Sequence, residues 1–260
     1  MKRSRPKAAK PRRSKPLWNI GSQRKPRVRR FRWMRIIPFK ALFILLGLYV
    51  LFELLTFPFL SIARLPTENP TESALMRQRI DEAHAQGTTL KIDYRWTPLS
   101  SIPRHVRMAI LVSEDGTFYS HTGVDWHEVL ESIETNLEKG RIVRGGSTIT
   151  QQLAKNLYLS TSRDPIRKGK ELLITWMLES TLSKKRILEL YLNIIEWGPG
   201  VFGIEAAAQR YFHKPASRLS MDEGARLAAV IPSPLRHQPT ETTSYVEKKK
   251  ELILRRMSTR

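Results

Sequence analysis

Gly145-Gly146-Ser147-Thr148-Ile149-Thr150-Gln151-Gln152-Leu153-Ala154-Lys155-Asn156 is the stretch from which the rest of the chain can be read. Small, hydroxyl and amide side chains crowd a predicted helix start, and a lysine follows on that helix. The glycine pair lets backbone approach a ligand closely. Ser147 or Thr148 can cap the helix, and Gln151 lies three residues after Thr148, the spacing of a capping box. Free N–H groups at such a start suit an anion, and Lys155 adds a full positive charge. The same spacing also fits a capped helix packed on a turn, with no ligand at all.

Thirty residues upstream lies Ser113-Glu114-Asp115-Gly116-Thr117-Phe118-Tyr119-Ser120-His121-Thr122-Gly123-Val124-Asp125. Pro103 to Leu111 reads as a helix, with Pro103 at its first position and Val106 and Ile110 on one face. Glu114 and Asp115 therefore fall near a helix C-terminus, where the dipole disfavours negative charge. A carboxylate held there beside apolar groups has a raised pKa, as a general base working near neutral pH requires. Two solvated acids at a helix end are the plain alternative.

Taken together, Glu-Asp-x-x-Phe-x-x-His-x-Gly followed by Gly-x-Ser-Thr-Ile-Thr-Gln-Gln resembles the peptidoglycan glycosyltransferases of glycosyltransferase family 51. That family includes the transglycosylase domains of class A penicillin-binding proteins, and the likeness is greatest to its monofunctional biosynthetic members. Three further blocks match in order. Arg167-Lys168-Gly169-Lys170-Glu171 resembles the family's Arg-Lys-x-x-Glu pattern with the glutamate one place later. Lys185 to Asn193 runs on into Gly198 to Ala207, and Leu227 to Pro234 makes the fifth block. The resemblance covers about residues 90 to 240.

It implies a lysozyme-like helical domain with two lobes around a cleft, part of it embedded in lipid. It also implies polymerisation of lipid II. The growing glycan, held on undecaprenyl pyrophosphate, is transferred with inversion to the carbon-four hydroxyl of the next lipid II. On that basis Glu114 is the base. Lys155, Arg163, Arg167 and Lys168 form the diphosphate site, and Ser147, Thr148, Gln151 and Gln152 donate hydrogen bonds to phosphate or sugar. Glu171 is the second family glutamate; it holds a divalent metal, Mg or Mn, on the diphosphate or orients the basic residues. Asp115 supports Glu114, Asn193 and Tyr191 organise the cleft walls, and His121 is structural. A glycan-cleaving enzyme on the same scaffold, and a non-catalytic membrane-anchored division scaffold, are the competing classes.

Composition sets the surroundings. The 260 residues hold no cysteine, which excludes disulfides, thiol nucleophiles and thiolate metal sites. Of the formal net charge of +21, five lysines and ten arginines up to Arg35 supply +15, and no acid precedes Glu53. Such a segment reads as a disordered tail. Ile36 to Leu60 is apolar for about the length that crosses a bilayer as a helix. Lys40 can snorkel to one interface, while Glu53 is the awkward residue within the span. The positive-inside rule then keeps the tail cytoplasmic and the rest on the outer side of a bacterial inner membrane, which leaves nucleic acid without a role. The organisation expected is a basic tail at 1–35, an anchor at 36–62, a membrane-proximal linker at 63–89 and a mainly α glycosyltransferase domain at 90–260. The only Ser-x-x-Lys matches, Ser4 to Lys7 and Ser22 to Lys25, lie in the tail, so polymerisation without peptide cross-linking is expected. Lipid II, the growing glycan, membrane lipid and cell-wall or division proteins are the partners expected.

Overall fold

The computed structural model describes residues 39–141, 145–162 and 164–259. The basic tail at 1–35 lies outside them. The chain forms two compact units, divided between Thr56 and Phe57.

The described part of the first unit is one helix, α1 (Phe39–Thr56), with leucines, phenylalanines and Ile44 exposed around it. Its 18 residues rise about 27 Å, against a hydrocarbon core of about 30 Å. Among the described residues no helix is long and apolar enough to cross a membrane. The apolar segment expected to run unbroken to residue 62 is divided at Pro58, which cannot continue a helix. Beyond it, α2 (Phe59–Arg64) belongs to the second unit, where Ile62 is buried.

The second unit is a mainly α, multi-helix domain. It continues with α3 (Ala74–Ala85), β1 (Asp93–Tyr94), α4 (Arg104–Glu114), α5 (Trp126–Glu138), α6 (Ile149–Tyr158), α7 (Pro165–Thr181) and α8 (Lys184–Ile194). Then follow β2 (Glu196–Gly198), β3 (Val201–Phe202), α9 (Ile204–Phe212), α10 (Met221–Val230) and α11 (Ser244–Ser258). Side-chain caps fix many of the starts. Ser73 caps α3, Asp125 caps α5, Asp164 caps α7 and Ser183 caps α8, and Thr148 and Ser220 make full capping boxes for α6 and α10.

Two helix groups share one core. In the first, α4, α10 and α11 pack together, and in the second α6 packs on α7, α8 and α3. Gly224 lets α10 approach α4 closely: a Cβ there would meet Val106 Cα at 3.1 Å. Trp197, Tyr191, Phe118 and Phe202 are the largest fully buried side chains. The small sheet has the order β1-β3-β2, with β1 parallel and β2 antiparallel to β3. Tyr94 pairs with Phe202 in register.

Two elements depart from the sequence reading. Helix α4 runs three residues past Leu111, because Val112 is buried and Ser113 bonds Ala228 O at 3.3 Å. The spacing of Asp125 to Gly140 predicts a helix with Val129, Ile133 and Leu137 as its apolar face; α5 forms there, but Ile133 and Leu137 are exposed, as is Leu130. Periodicity specifies the stripe and says nothing of what covers it.

Candidate active site

Glu114 and Asp115 are neighbours with different partners. Glu114 is the last residue of α4, and Asp115, at φ −161° and ψ 80°, leaves the helix. The Asp115 carboxylate points into the protein. It accepts from the backbone N–H of Ile149 at 3.0 Å and from His121 Nε2 at 3.0 Å. His121 Nδ1 accepts from the Gly123 N–H at 3.1 Å, so the network places the ring proton on Nε2, toward Asp115. Asp115 thus joins the end of α4 to the start of α6. Thr148 adds a second tie, donating to Gly123 O at 2.5 Å while it caps α6.

Glu114 meets α6 further along, at Gln152. Gln152 Nε2 donates to its Oε2 at 3.0 Å, and Ser113 Oγ to its Oε1 at 3.3 Å. The buried Tyr191 hydroxyl donates to Gln152 Oε1 at 3.0 Å, which turns the Gln152 amide so that its NH2 meets Glu114. Burial raises the Glu114 pKa above the ordinary carboxylate value; the hydrogen bond from Gln152 and the charges of Lys249 and Lys155 oppose it. Burial, with Glu114 and Asp115 nearby, also holds the Tyr191 phenol well above its usual value, so it stays a donor.

One turn along α6 from Gln152, Lys155 enters a cavity of about 280 Å³. Its walls carry Ser147, Gln151, Gln152, Thr161, Arg167, Lys168 and Glu171. Burial lowers the Lys155 pKa, Glu171 opposes that, and Arg167 and Lys168 push it lower still. Among the described residues no hydrogen bond or ion pair is recorded for the Lys155 ammonium. Arg167 Nη1 and Lys168 Nζ instead converge on the two oxygens of buried Glu171, Arg167 at 2.7 Å.

Residues 82–258 match the model of a family described as transglycosylase. The chain belongs to the transglycosylase family. It is 42% identical to the biosynthetic peptidoglycan transglycosylase of Herminiimonas arsenicoxydans over 225 residues, 86% of this chain and 94% of that one. The identity is 52% to the protein of that name in Ralstonia nicotianae over 177 residues, 68% and 76% of the two chains. It is 40% to that of Bordetella pertussis over 237 residues, 90% and 97%. The ordered blocks quoted from the sequence all fall inside the family match.

The structure gathers Lys155, Arg167, Lys168, Ser147, Gln151, Gln152 and Glu171 around one cavity. Arg163 lies outside the described residues. Four expected residues are not among the cavity walls, first of them Glu114, which meets the wall residue Gln152 instead. Thr148 is spent on the α6 cap and on Gly123 O. Asp115 makes no bond to Glu114 and braces α6 instead. Asn193 is fully buried and brackets Thr97, accepting from its N–H at 2.8 Å and donating to its C=O at 2.9 Å.

The metal expectation is overturned. Among the described residues no group of three or more His, Asp or Glu side chains could hold a metal ion. Both oxygens of Glu171, the expected ligand, are engaged by Arg167 and Lys168.

Sequence reasoning missed Ser113, Lys249 and Thr161. Lys249 lies 135 positions from Glu114 and its charge acts on it only because α11 packs on α4. Thr161 sits in a polar turn with no motif.

Proposed function

We propose that this transglycosylase polymerises glycan strands from lipid II, with Glu114 as the general base and Lys155, Arg167 and Lys168 receiving the leaving diphosphate. The observation that carries this reading is the sharing of α6: Gln152 holds the base and Lys155, three residues on, enters the cationic cavity. One turn of helix, about 4.5 Å of rise, therefore couples proton removal to charge neutralisation.

The acceptor hydroxyl gives its proton to a Glu114 oxygen as its own oxygen attacks the anomeric carbon of the growing chain. The bond from that carbon to the diphosphate oxygen breaks, and the electron pair leaves with the diphosphate. The raised Glu114 pKa suits a base near neutral pH. The lowered Lys155 pKa marks a cation whose burial cost is relieved when a dianion arrives. Glu171 keeps Arg167 and Lys168 parallel at the cavity wall until then. The α4–α10–α11 and α6–α7–α8 groups form the two lobes, with Glu114 and Gln152 between them.

Family membership fits association with a membrane. In this reading the apolar segment that includes α1 serves as the anchor, the basic tail stays cytoplasmic, and the second unit lies outside. Protease added to the outer face of sealed vesicles should digest the second unit; digestion only from the cytoplasmic face would reverse this topology.

The activity is tested with the purified full chain and lipid II. Polymer should appear with the wild type and be absent with Glu114→Gln. Cleavage of preformed glycan without polymer formation would assign the protein to the lytic class instead.

A further inference from the structure

Gln78 lies on α3, ahead of the first residue the family model matches. Its amide grips Thr161 from two sides. Nε2 donates to Thr161 Oγ1 at 2.6 Å, and Oε1 accepts from the Thr161 N–H at 3.0 Å. The other Nε2 hydrogen goes to Glu82 Oε1 at 2.6 Å, which fixes which way the amide faces. The next residue, Arg79, roots the same turn of α3 in the sheet. Its Nε and Nη2 fork onto the buried Glu196 of β2 at 2.9 to 3.1 Å, and its Nη1 reaches Glu82 at 2.8 Å. One helical turn is thus anchored at one side and holds a loop at the other.

That loop closes the cationic cavity. Thr161 is one of the cavity's walls. The adjoining Ser162 carbonyl accepts from Arg167 Nε. Ser162 Oγ donates to Asp164 Oδ2 at 2.7 Å, and Asp164 Oδ1 caps α7 by accepting from Arg167 N at 2.7 Å. The place of Thr161 therefore passes through Ser162 to the Arg167 guanidinium, and through Asp164 to the first turn of α7. Arg167 and Lys168 stand on that turn, and Glu171 on the next.

We propose that Gln78 is a positioning residue of the cation cavity, clamping Thr161 so that Arg167 and Lys168 are presented to a diphosphate. The inference rests on the reading of the cavity as the diphosphate site. Gln78 does not itself line the cavity. Its effect belongs to ligand affinity, because an unclamped loop must be ordered each time a ligand binds.

The test uses the full chain in detergent, with Gln78→Ala, Thr161→Val, the conservative Thr161→Ser and the Gln78→Ala/Thr161→Val double variant. Three readouts are taken: amide hydrogen exchange at Thr161, affinity for inorganic pyrophosphate by calorimetry, and kcat and KM with lipid II. In Gln78→Ala the Thr161 amide should exchange about tenfold faster, and pyrophosphate affinity and lipid II KM should each worsen about three- to tenfold, as loss of one or two exposed hydrogen bonds implies. The change in kcat should stay below about twofold, since the base is untouched. Thr161→Ser keeps the hydroxyl that Gln78 bonds, so its amide exchange should stay closer to wild type than that of Thr161→Val, and the double variant should be little worse than Gln78→Ala. Faster exchange with unchanged pyrophosphate affinity and KM would reduce Gln78 to a structural contact and overturn the proposal, as would unchanged exchange. Failure of the functional reading is visible separately: the wild type would then neither bind pyrophosphate nor make polymer, and the positioning role would fall with it.

Discussion

Replacing Asp115 by asparagine tests how the two halves of the site are joined. The Asp115 side chain is 2% exposed and takes two donors, Ile149 N–H and His121 Nε2, both at 3.0 Å. In Asp115→Asn the amide oxygen, in the place of Oδ2, can still accept from Ile149 and from His121 Nε2 at 3.1 Å, but the NH2 then stands 3.0 Å from the same Nε2–H, donor against donor. The ring cannot relieve this by moving its proton to Nδ1, because Nδ1 already accepts from Gly123 N–H. Both charge-assisted bonds become neutral ones, a loss of about 1 kcal/mol each, and the two facing donors add about 1 to 2 kcal/mol more. For a unit of this size about 3 to 4 kcal/mol lowers Tm by roughly 10 °C. Gln152 and Lys155 ride on the helix that loosens, so kcat/KM for lipid II should fall at least about tenfold as well. Thermal melts by circular dichroism and a polymerisation assay on one preparation measure both. A variant that melts within about 2 °C of wild type would show that Asp115 does not brace α6, and the reasoning would be wrong at its root.

Glu114→Gln should abolish polymerisation and yet stabilise the protein near neutral pH. The folded pKa of Glu114 is raised, so the native state holds its proton longer than the unfolded chain, and the charge that forms as pH rises through the folded pKa costs stability. The variant should therefore out-melt wild type at pH 7 and converge with it below the ordinary glutamate value; equal melts at both pH values would contradict the burial argument. Lys155→Met should slow turnover at least about tenfold. Because burial lowers the Lys155 pKa, wild-type activity should fall as alkaline pH removes the ammonium proton, and Lys155→Arg should move that fall to higher pH; an unmoved alkaline limb would clear Lys155 of the role. Gly123→Ala should cost about 2 kcal/mol or more in urea unfolding, since φ there is +93° and a Cβ would stand 2.7 Å from Thr175 Cγ2; a neutral result would show that the 117–125 turn can shift. Deleting residues 1–56 should leave the second unit folded, active on lipid II in detergent and inefficient on vesicles, checked by near-ultraviolet circular dichroism and by rates in the two media.

Many of the helices were legible because a side-chain cap marks the start. Thr148 with Gln151 and Ser220 with Glu223 are capping boxes in the sequence and in the structure, and Asp164-Pro165 opens α7 where that pair predicts. The cavity residues other than Thr161 were legible because they stand within 25 positions of one another, from just ahead of α6 to the second turn of α7. What was not legible depended on three-dimensional closure. Asp115 and Glu114 share one environment in the sequence, and only the break at Asp115 sends one inward to brace and the other toward Gln152. Asn193 reads as a cleft residue, yet its amide fits the backbone of Thr97, 96 positions away. Glu171 among basic residues reads equally as a metal ligand or as their counter-charge; geometry chose the second. Gln78 carries no motif at all, and its grip on Thr161 depends on Arg79 finding Glu196.

The bare face of α5 has a consequence for local stability. Trp126, Leu130, Ile133 and Leu137 all point away from protein, and Ser132 is the helix's one buried residue. A 13-residue helix with so little packing is marginal in water and draws its order from its Asp125 cap. In aqueous solution α5 should be the first helix of the second unit to open, with amide exchange far faster than in α6 or α8. Gly146 lies against the Val129 backbone and Ser132, so each opening removes support from the start of the Gly-Gly-Ser-Thr segment. The medium around α5 thereby becomes a control on how long the entrance to α6 stays in place.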